Sequence, residues 1–148
     1  MAHLYFQVEI LERFCKDAFQ KFGFSGEESG IITDVLLTSD QYGIESHGMQ
    51  RLTRYHKGIE SGMIKVDAVP EVVFETPVSA VIDGHDGMGQ LIGHKAMRTA
   101  IDKAKKSGMA IVTVRNSNHY GIAGYYAKMA CDQGLIGMSF TNSEAIMV

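Results

Sequence analysis

Apolar positions in the first sixty residues recur at helical spacing. Val8, Leu11, Cys15, Ala18, Phe19 and Phe22 share one face of a helix that Gly23 closes. Ser25 and Glu28 then stand at the spacing of a capping box, ahead of a second apolar set (Ile31, Ile32, Val35, Leu36, Tyr42) that stops at Gly43. A third period, Met49, Leu52, Tyr55 and Ile59, predicts a helix from about His47 to Glu60 with Gly62 as its end. Residues 1–62 therefore form a helical N-terminal segment.

From there the period shortens. Val72-Val73-Phe74 and residues 78–83 are β-rich runs marked off by Pro70 and Pro77, and Gly84, Gly87 and Gly89 are expected to form a loop. An amphipathic helix follows (Leu91, Ile92, Ala96, Met97, Ala100, Ile101, Ala104) and ends at Gly108. Met109 to Val114 is apolar without alternation, the pattern of a strand covered on both faces. After a polar segment, Arg115 to Gly121, the pattern predicts a helix over 122–133 and a strand over 135–140. That strand runs into Thr141-Asn142-Ser143. Strand, helix, strand, helix, strand is an α/β arrangement. Residues 63–148 read as the first part of a mixed sheet with helices, and the apolar Ala145-Ile146-Met147-Val148 implies a core that continues beyond it.

Composition narrows the partners. The chain has 148 residues, 45% hydrophobic and 21% charged, and a formal net charge of -3. That balance gives no electrostatic case for nucleic acid or for a membrane surface, and no apolar run reaches the roughly 20 residues of a membrane span. The N-terminus lacks a secretory pattern, which makes the cytoplasm the default location. Cys15 and Cys131 both sit in helical patterns, and each is expected to be a buried free thiol. No histidines and cysteines have the close spacing of a zinc site, so no metal is expected.

The chemistry concentrates in two places. Ser46-His47-Gly48 precedes Arg51 and Tyr55, and four-residue steps on one helix would align His47, Arg51 and Tyr55 on a common face. An imidazole, a carboxylate-binding fork and a phenol together suit a small anionic carbonyl compound. The second place is Asn118-His119-Tyr120-Gly121, beyond the carboxyl end of the Met109–Val114 strand, where open α/β sheets bind ligands. Alone, His119 reads equally well as a surface histidine capping a turn. Thr141-Asn142-Ser143 follows the next predicted strand in the same way, and two strands delivering polar side chains to one edge favour a site.

The segment Gly87-Met88-Gly89-Gln90-Leu91-Ile92-Gly93 invites a dinucleotide-binding reading but has the spacing G-x-G-x-x-x-G. The next strand ends in Arg115-Asn116, with no acidic residue for a ribose diol, although an arginine there would suit a 2′-phosphate. A tight turn explains these glycines better.

Taken in order, the Ser46-His47-Gly48-x-x-Arg51-Leu52-x-x-Tyr55 block, the Asn118-His119-Tyr120-Gly121 loop and Thr141-Asn142-Ser143 resemble the type-2 malate/L-lactate dehydrogenase family. That family also contains sulfolactate and ureidoglycolate dehydrogenases and diketogulonate reductase. The resemblance implies an NAD- or NADP-dependent oxidoreductase interconverting a small 2-hydroxy acid and its 2-oxo acid. It also implies a homodimer with a fold distinct from the ordinary Rossmann domain. It places His119 and His47 around the substrate oxygen, with Ser46 assisting His47, and assigns the carboxylate to Arg51 and Tyr55. Thr141 and Ser143 would lie near the cofactor. Sequence does not decide which histidine transfers the proton, and His119 is the one we favour. Family members are much longer, so the chain reads as an N-terminal portion, with much of the cofactor site and dimer surface in the other part. Two further readings stay open: a non-catalytic self-association or binding module, and imine reduction on the same scaffold.

Overall fold

The structure, a computed structural model, describes residues 5–142. It opens with two antiparallel-style neighbours, α1 (Val8–Lys21) and α2 (Gly26–Gln41), joined through Gly23, whose φ of 109° no L side chain adopts cheaply. The capping box at the start of α2 is complete. The Glu28 N–H donates to Ser25 Oγ at 3.2 Å, and the Ser25 N–H donates to Glu28 Oε2 at 2.8 Å. Cys15 and Phe19 on α1 and Ile32 and Leu36 on α2 bury their apolar faces against one another, together with Phe24, Tyr55, Ile64 and Met88. This core fixes the helical segment and reaches the residue that leads into the long helix of the sheet.

The predicted helix over 47–60 is broken in two. Two single 3-10 turns, Glu45–His47 and Met49–Arg51, come first, and α3 proper runs Leu52–Glu60. Gly48 lies between the turns with φ −90° and ψ −148°, an extended conformation that no helix tolerates. The cause is a carboxylate from outside the segment: Asp40 on α2 accepts the Met49 N–H at 2.8 Å and satisfies it in place of a helical partner.

The sheet has the order β1-β2-β3, from β1 (Glu71–Glu75), β2 (Ser79–Gly87) and β3 (Ile111–Ser117). β1 is antiparallel to β2 and β2 is parallel to β3, with α4 (Gly89–Ser107) as the crossover. α4 ends where expected, at Gly108 with φ 83°. β2 is longer than its sequence suggests and takes in Gly84 and Gly87, which are therefore strand residues rather than loop residues. Its last part is irregular. The pairing with β3 skips between Asp83 and Gly87, and His85 and Asp86 take positive φ there.

Two expectations about the later strands are corrected. Among the described residues β3 is not covered on both faces: α4 packs on one side, and Ile111 stands 65% exposed at the sheet edge. Residues 135–140 follow α5 (Ala123–Cys131) but form no strand. No ladder partner exists for them among the described residues, and Ile136 and Phe140 remain open to solvent. Cys15 is buried as expected, whereas Cys131, at the last position of α5, is exposed. No described helix is long and apolar enough to cross a membrane.

Candidate active site

α2 sets the position of the Ser46–Arg51 segment. At its end Gly43 takes φ 73°, and Ser39 Oγ donates to the Ile44 carbonyl at 2.7 Å, turning the chain back. The Asp40 carboxylate then sits so close to Gly48 that a Cβ there would lie 1.8 Å from Oδ1. Only glycine fits, and the fit locks the two turns to α2. Within the turns Ser46 Oγ lies 2.9 Å from His47 Nδ1, and Arg51 Nε donates to the Ser46 carbonyl at 2.5 Å. Arg51 is thereby held through one nitrogen, and the two terminal nitrogens of its fork carry no protein partner among the described residues.

The second loop arrives from the sheet. Beyond β3, Asn118 donates its amide nitrogen to three carbonyls, those of Met63, Asp86 and Gly87, at 3.1, 2.8 and 3.0 Å. α4 presses its first residue onto the same loop: a Cβ at Gly89 would lie 2.3 Å from the Asn118 carbonyl oxygen and 2.4 Å from that of His119. Gly121 closes the loop at φ 87° against Val35 of α2. Three elements thus fix the backbone around His119.

The two segments meet at the imidazoles. The Tyr55 hydroxyl lies 2.7 Å from His119 Nδ1, and the His47 and His119 rings stand 5.2 Å apart between centroids. So His47, Tyr55 and His119 are brought together, but the common helical face expected for His47, Arg51 and Tyr55 does not form, because of the three only Tyr55 lies within α3. Each histidine has its Nδ1 engaged, His47 by Ser46 and His119 by Tyr55, which leaves each Nε2 for a ligand.

Charge is kept off the rings. Burial, then the neighbouring His47 and the positive charges of Arg51 and Arg54, push His119 down to about 4. Burial and Arg51 lower His47 as well. Tyr55, almost wholly buried, is raised to about 12 by desolvation, despite the counteracting Gln90 amide and the two arginines. Near neutral pH the free site therefore holds two neutral imidazoles, a neutral phenol and two guanidinium ions.

Three participants escaped the sequence reading. Arg54 stands one turn beyond Arg51, and that i, i+3 spacing was the available signal. Gln90 follows Gly89 at the start of α4 and is fully buried. Asp40 had no local signal, since its partner lies nine residues away.

The cofactor side is less complete. Thr141 is exposed, its hydroxyl 3.3 Å from the Asn142 carbonyl, and Ser143 lies outside the described residues. The glycine-rich segment cannot cradle a pyrophosphate. Gly87 packs on Ala68 and Gly89 on the Asn118–His119 backbone, so protein already occupies the space that small residues open. Arg115 is also engaged: its Nε donates to Asp83 at 2.9 Å. Asp83 further accepts the His85 N–H and the Asn116 amide, and these bonds hold its carboxyl at about 2. This cluster laces the ends of β2 and β3 together. Among the described residues His47, His119, Tyr55 and Arg51 gather at one place, and the glycine-rich segment is packed against protein. Among them no group of three or more His, Cys, Asp or Glu is placed to hold a metal ion.

Residues 6–148 match the family described as Malate/L-lactate dehydrogenase. A malate dehydrogenase of Pyrococcus abyssi is 52% identical over 127 residues, which cover 86% of this chain and 35% of that protein. An L-sulfolactate dehydrogenase of Methanocaldococcus jannaschii is 44% identical over 131 residues, 88% of this chain and 38% of its own length. Among solved structures, malate dehydrogenase from Pyrococcus horikoshii OT3 superposes with a TM-score of 0.87 at 45% identity, over 88% of this chain and 38% of that one. The chain thus spans well under half the length of these relatives.

Proposed function

The chain belongs to the malate/L-lactate dehydrogenase family, and on that footing we propose that it carries the acid-binding and proton-transfer part of an NAD- or NADP-dependent oxidoreductase. The reaction is the interconversion of a small 2-hydroxy acid and its 2-oxo acid. One observation carries the reading: His119, backed by Tyr55 at 2.7 Å, faces His47 beside an arginine whose two terminal nitrogens have no partner among the described residues.

Hydride exchange at C2 is the chemistry of the nicotinamide, and the remaining tasks fall to this chain. Arg51, anchored by Ser46, offers its two terminal nitrogens to the substrate carboxylate as a bidentate clamp. Tyr55, buried and with its hydroxyl 2.7 Å from His119 Nδ1, fixes that ring. In the reducing direction His119 Nε2 gives a proton to the substrate oxygen, and in the oxidising direction it takes one back. His47, oriented by Ser46, supports the same oxygen from the other side. The incoming carboxylate offsets the arginine charges, so substrate binding raises the pKa of His119 toward the working pH. Thr141 and Ser143 are the chain's contributions to the nicotinamide side. Arg54 adds a second guanidinium, which suits an acid bearing a second anionic group, as malate and sulfolactate do.

The test is a spectrophotometric screen of the full-length protein for NADH and NADPH oxidation over 2-oxo acids with and without a second anionic group, plus cyclic imino acids. The proposal expects turnover of at least one 2-oxo acid, fastest among the dianions. Turnover of imino acids alone, or nucleotide-independent self-association without turnover, would replace it.

A further inference from the structure

The carbonyl that anchors Arg51 is open only because a residue of another helix intervenes. In a 3-10 helix an N–H bonds to the carbonyl three residues back, and in an α-helix to the carbonyl four back. The ordinary partner of the Ser46 carbonyl is therefore the N–H of Met49 or of Gln50. Neither backbone bond is made. The Met49 N–H donates to Asp40 Oδ2 at 2.8 Å instead, and Gly48, extended at ψ −148°, separates the two turns. The Ser46 carbonyl then accepts Arg51 Nε at 2.5 Å.

We propose that Asp40 is a positioning residue for the acid clamp. By capturing the Met49 N–H it keeps the Ser46 carbonyl open for Arg51 Nε, and so presents the two terminal nitrogens of Arg51 to the substrate. This rests on the reading of Arg51 as the residue that binds the substrate carboxylate. The apolar period Met49, Leu52, Tyr55 and Ile59 favours an uninterrupted helix, which the broken form must outcompete. A carboxylate can do so, because a charged acceptor holds an N–H more strongly than a neutral carbonyl does. The break also clears the space around His119. On one continuous helix His47, Arg51 and Tyr55 would follow each other at steps of about 6 Å along one face. Arg51 would then stand between the two side chains that now flank His119.

The test uses the full-length protein and has a structural and a kinetic readout. Its variants are Asp40→Ala and the double variant Asp40→Ala/Gly48→Ala. In the double variant the 1.8 Å approach of a Gly48 Cβ to the carboxylate is gone and alanine favours helix. Crystal structures of both should show residues 46–51 in α-helical backbone, with the Arg51–Ser46 bond lost. KM for the 2-oxo acid turned over fastest should rise about tenfold or more, the effect of losing one hydrogen bond to a charged group. Asp40→Asn, whose Oδ1 accepts the same N–H, should keep KM within about threefold.

The structural readout needs no turnover and is separable from the dehydrogenase reading. If Gly48 stays extended and Arg51 stays bonded to Ser46 in both alanine variants, the role of Asp40 is overturned whether or not the protein is an oxidoreductase. A backbone that changes as expected with KM unmoved would remove Arg51 from acid binding and overturn the positioning role with it. So would a KM raised tenfold in Asp40→Asn, the mildest of the substitutions.

Discussion

Replacing Gly89 with alanine drives a methyl group into the backbone of the His119 loop. The new Cβ would stand 2.3 Å from the Asn118 carbonyl oxygen and 2.4 Å from that of His119, where ordinary contact begins at 3.4 Å. Neither neighbour is a flexible side-chain end, so α4 and the loop must separate by about 1 Å. Overpacking of this kind costs about 1–3 kcal/mol, and alanine recovers less than about 1 kcal/mol through helix propensity at this first helical position. For a chain of this size the net effect is a fall in Tm of about 3–6 °C. The chemical effect is larger, because the Tyr55–His119 bond at 2.7 Å does not survive a displacement of that size, and a misplacement of about 1 Å can cost about 100-fold in rate. Differential scanning calorimetry reads the first effect, and kcat of the full-length protein reads the second. Gly124→Ala is the internal control: it lies in α5 with open space around its missing Cβ, and it should leave Tm unchanged or raise it. If Gly89→Ala matched that control in both Tm and kcat, the claim that α4 buttresses the His119 loop would be refuted.

Two other perturbations follow from the same geometry. Asp83 is held at about 2, below its ordinary 3.8, chiefly by the His85 N–H and then by Asn116 and Arg115. A depressed carboxyl stabilises above its unfolded pKa and ceases to do so as pH falls through the folded one. The Tm of the unsubstituted chain should therefore exceed that of Asp83→Asn at pH 6, with the gap closing between about pH 4 and pH 2; a gap constant with pH would contradict the assignment. Arg51→Lys replaces a fork held by Ser46 with a single ammonium that cannot both keep that anchor and grip a carboxylate at two points. Steady-state kinetics should show KM for the acid raised about tenfold or more with kcat changed much less, and the opposite split would remove Arg51 from acid binding.

The sequence was most legible where structure is set by near neighbours. α1, α2, α4 and α5 follow from apolar period and from caps such as Ser25 with Glu28 or Gly108, all local devices. His47, Arg51, Tyr55 and His119 could be picked out because their chemistry is distinctive and His119 follows a strand. What could not be read is what distant residues impose. Asp40 breaks the helix expected from His47 by capping Met49, an effect no window around residue 47 contains. Gln90 looks like one more polar residue near a helix start until folding buries it beside Tyr55. The apolar run from Met109 to Val114 reads as a doubly covered strand because composition records the tendency to be buried, not the presence of a covering layer. Residues 135–140 likewise carry strand-forming side chains without a ladder partner among the described residues.

In the proposed chemistry His119 is the group that exchanges the proton with the substrate oxygen. The most direct measurement is kcat of His119→Ala in the full-length protein with its best 2-oxo acid. A lost acid–base residue should lower it by about 10²- to 10⁴-fold, with the KM of the acid nearly unchanged because Arg51 still binds it. A kcat within about threefold of the unsubstituted enzyme, far outside that range, would contradict the account.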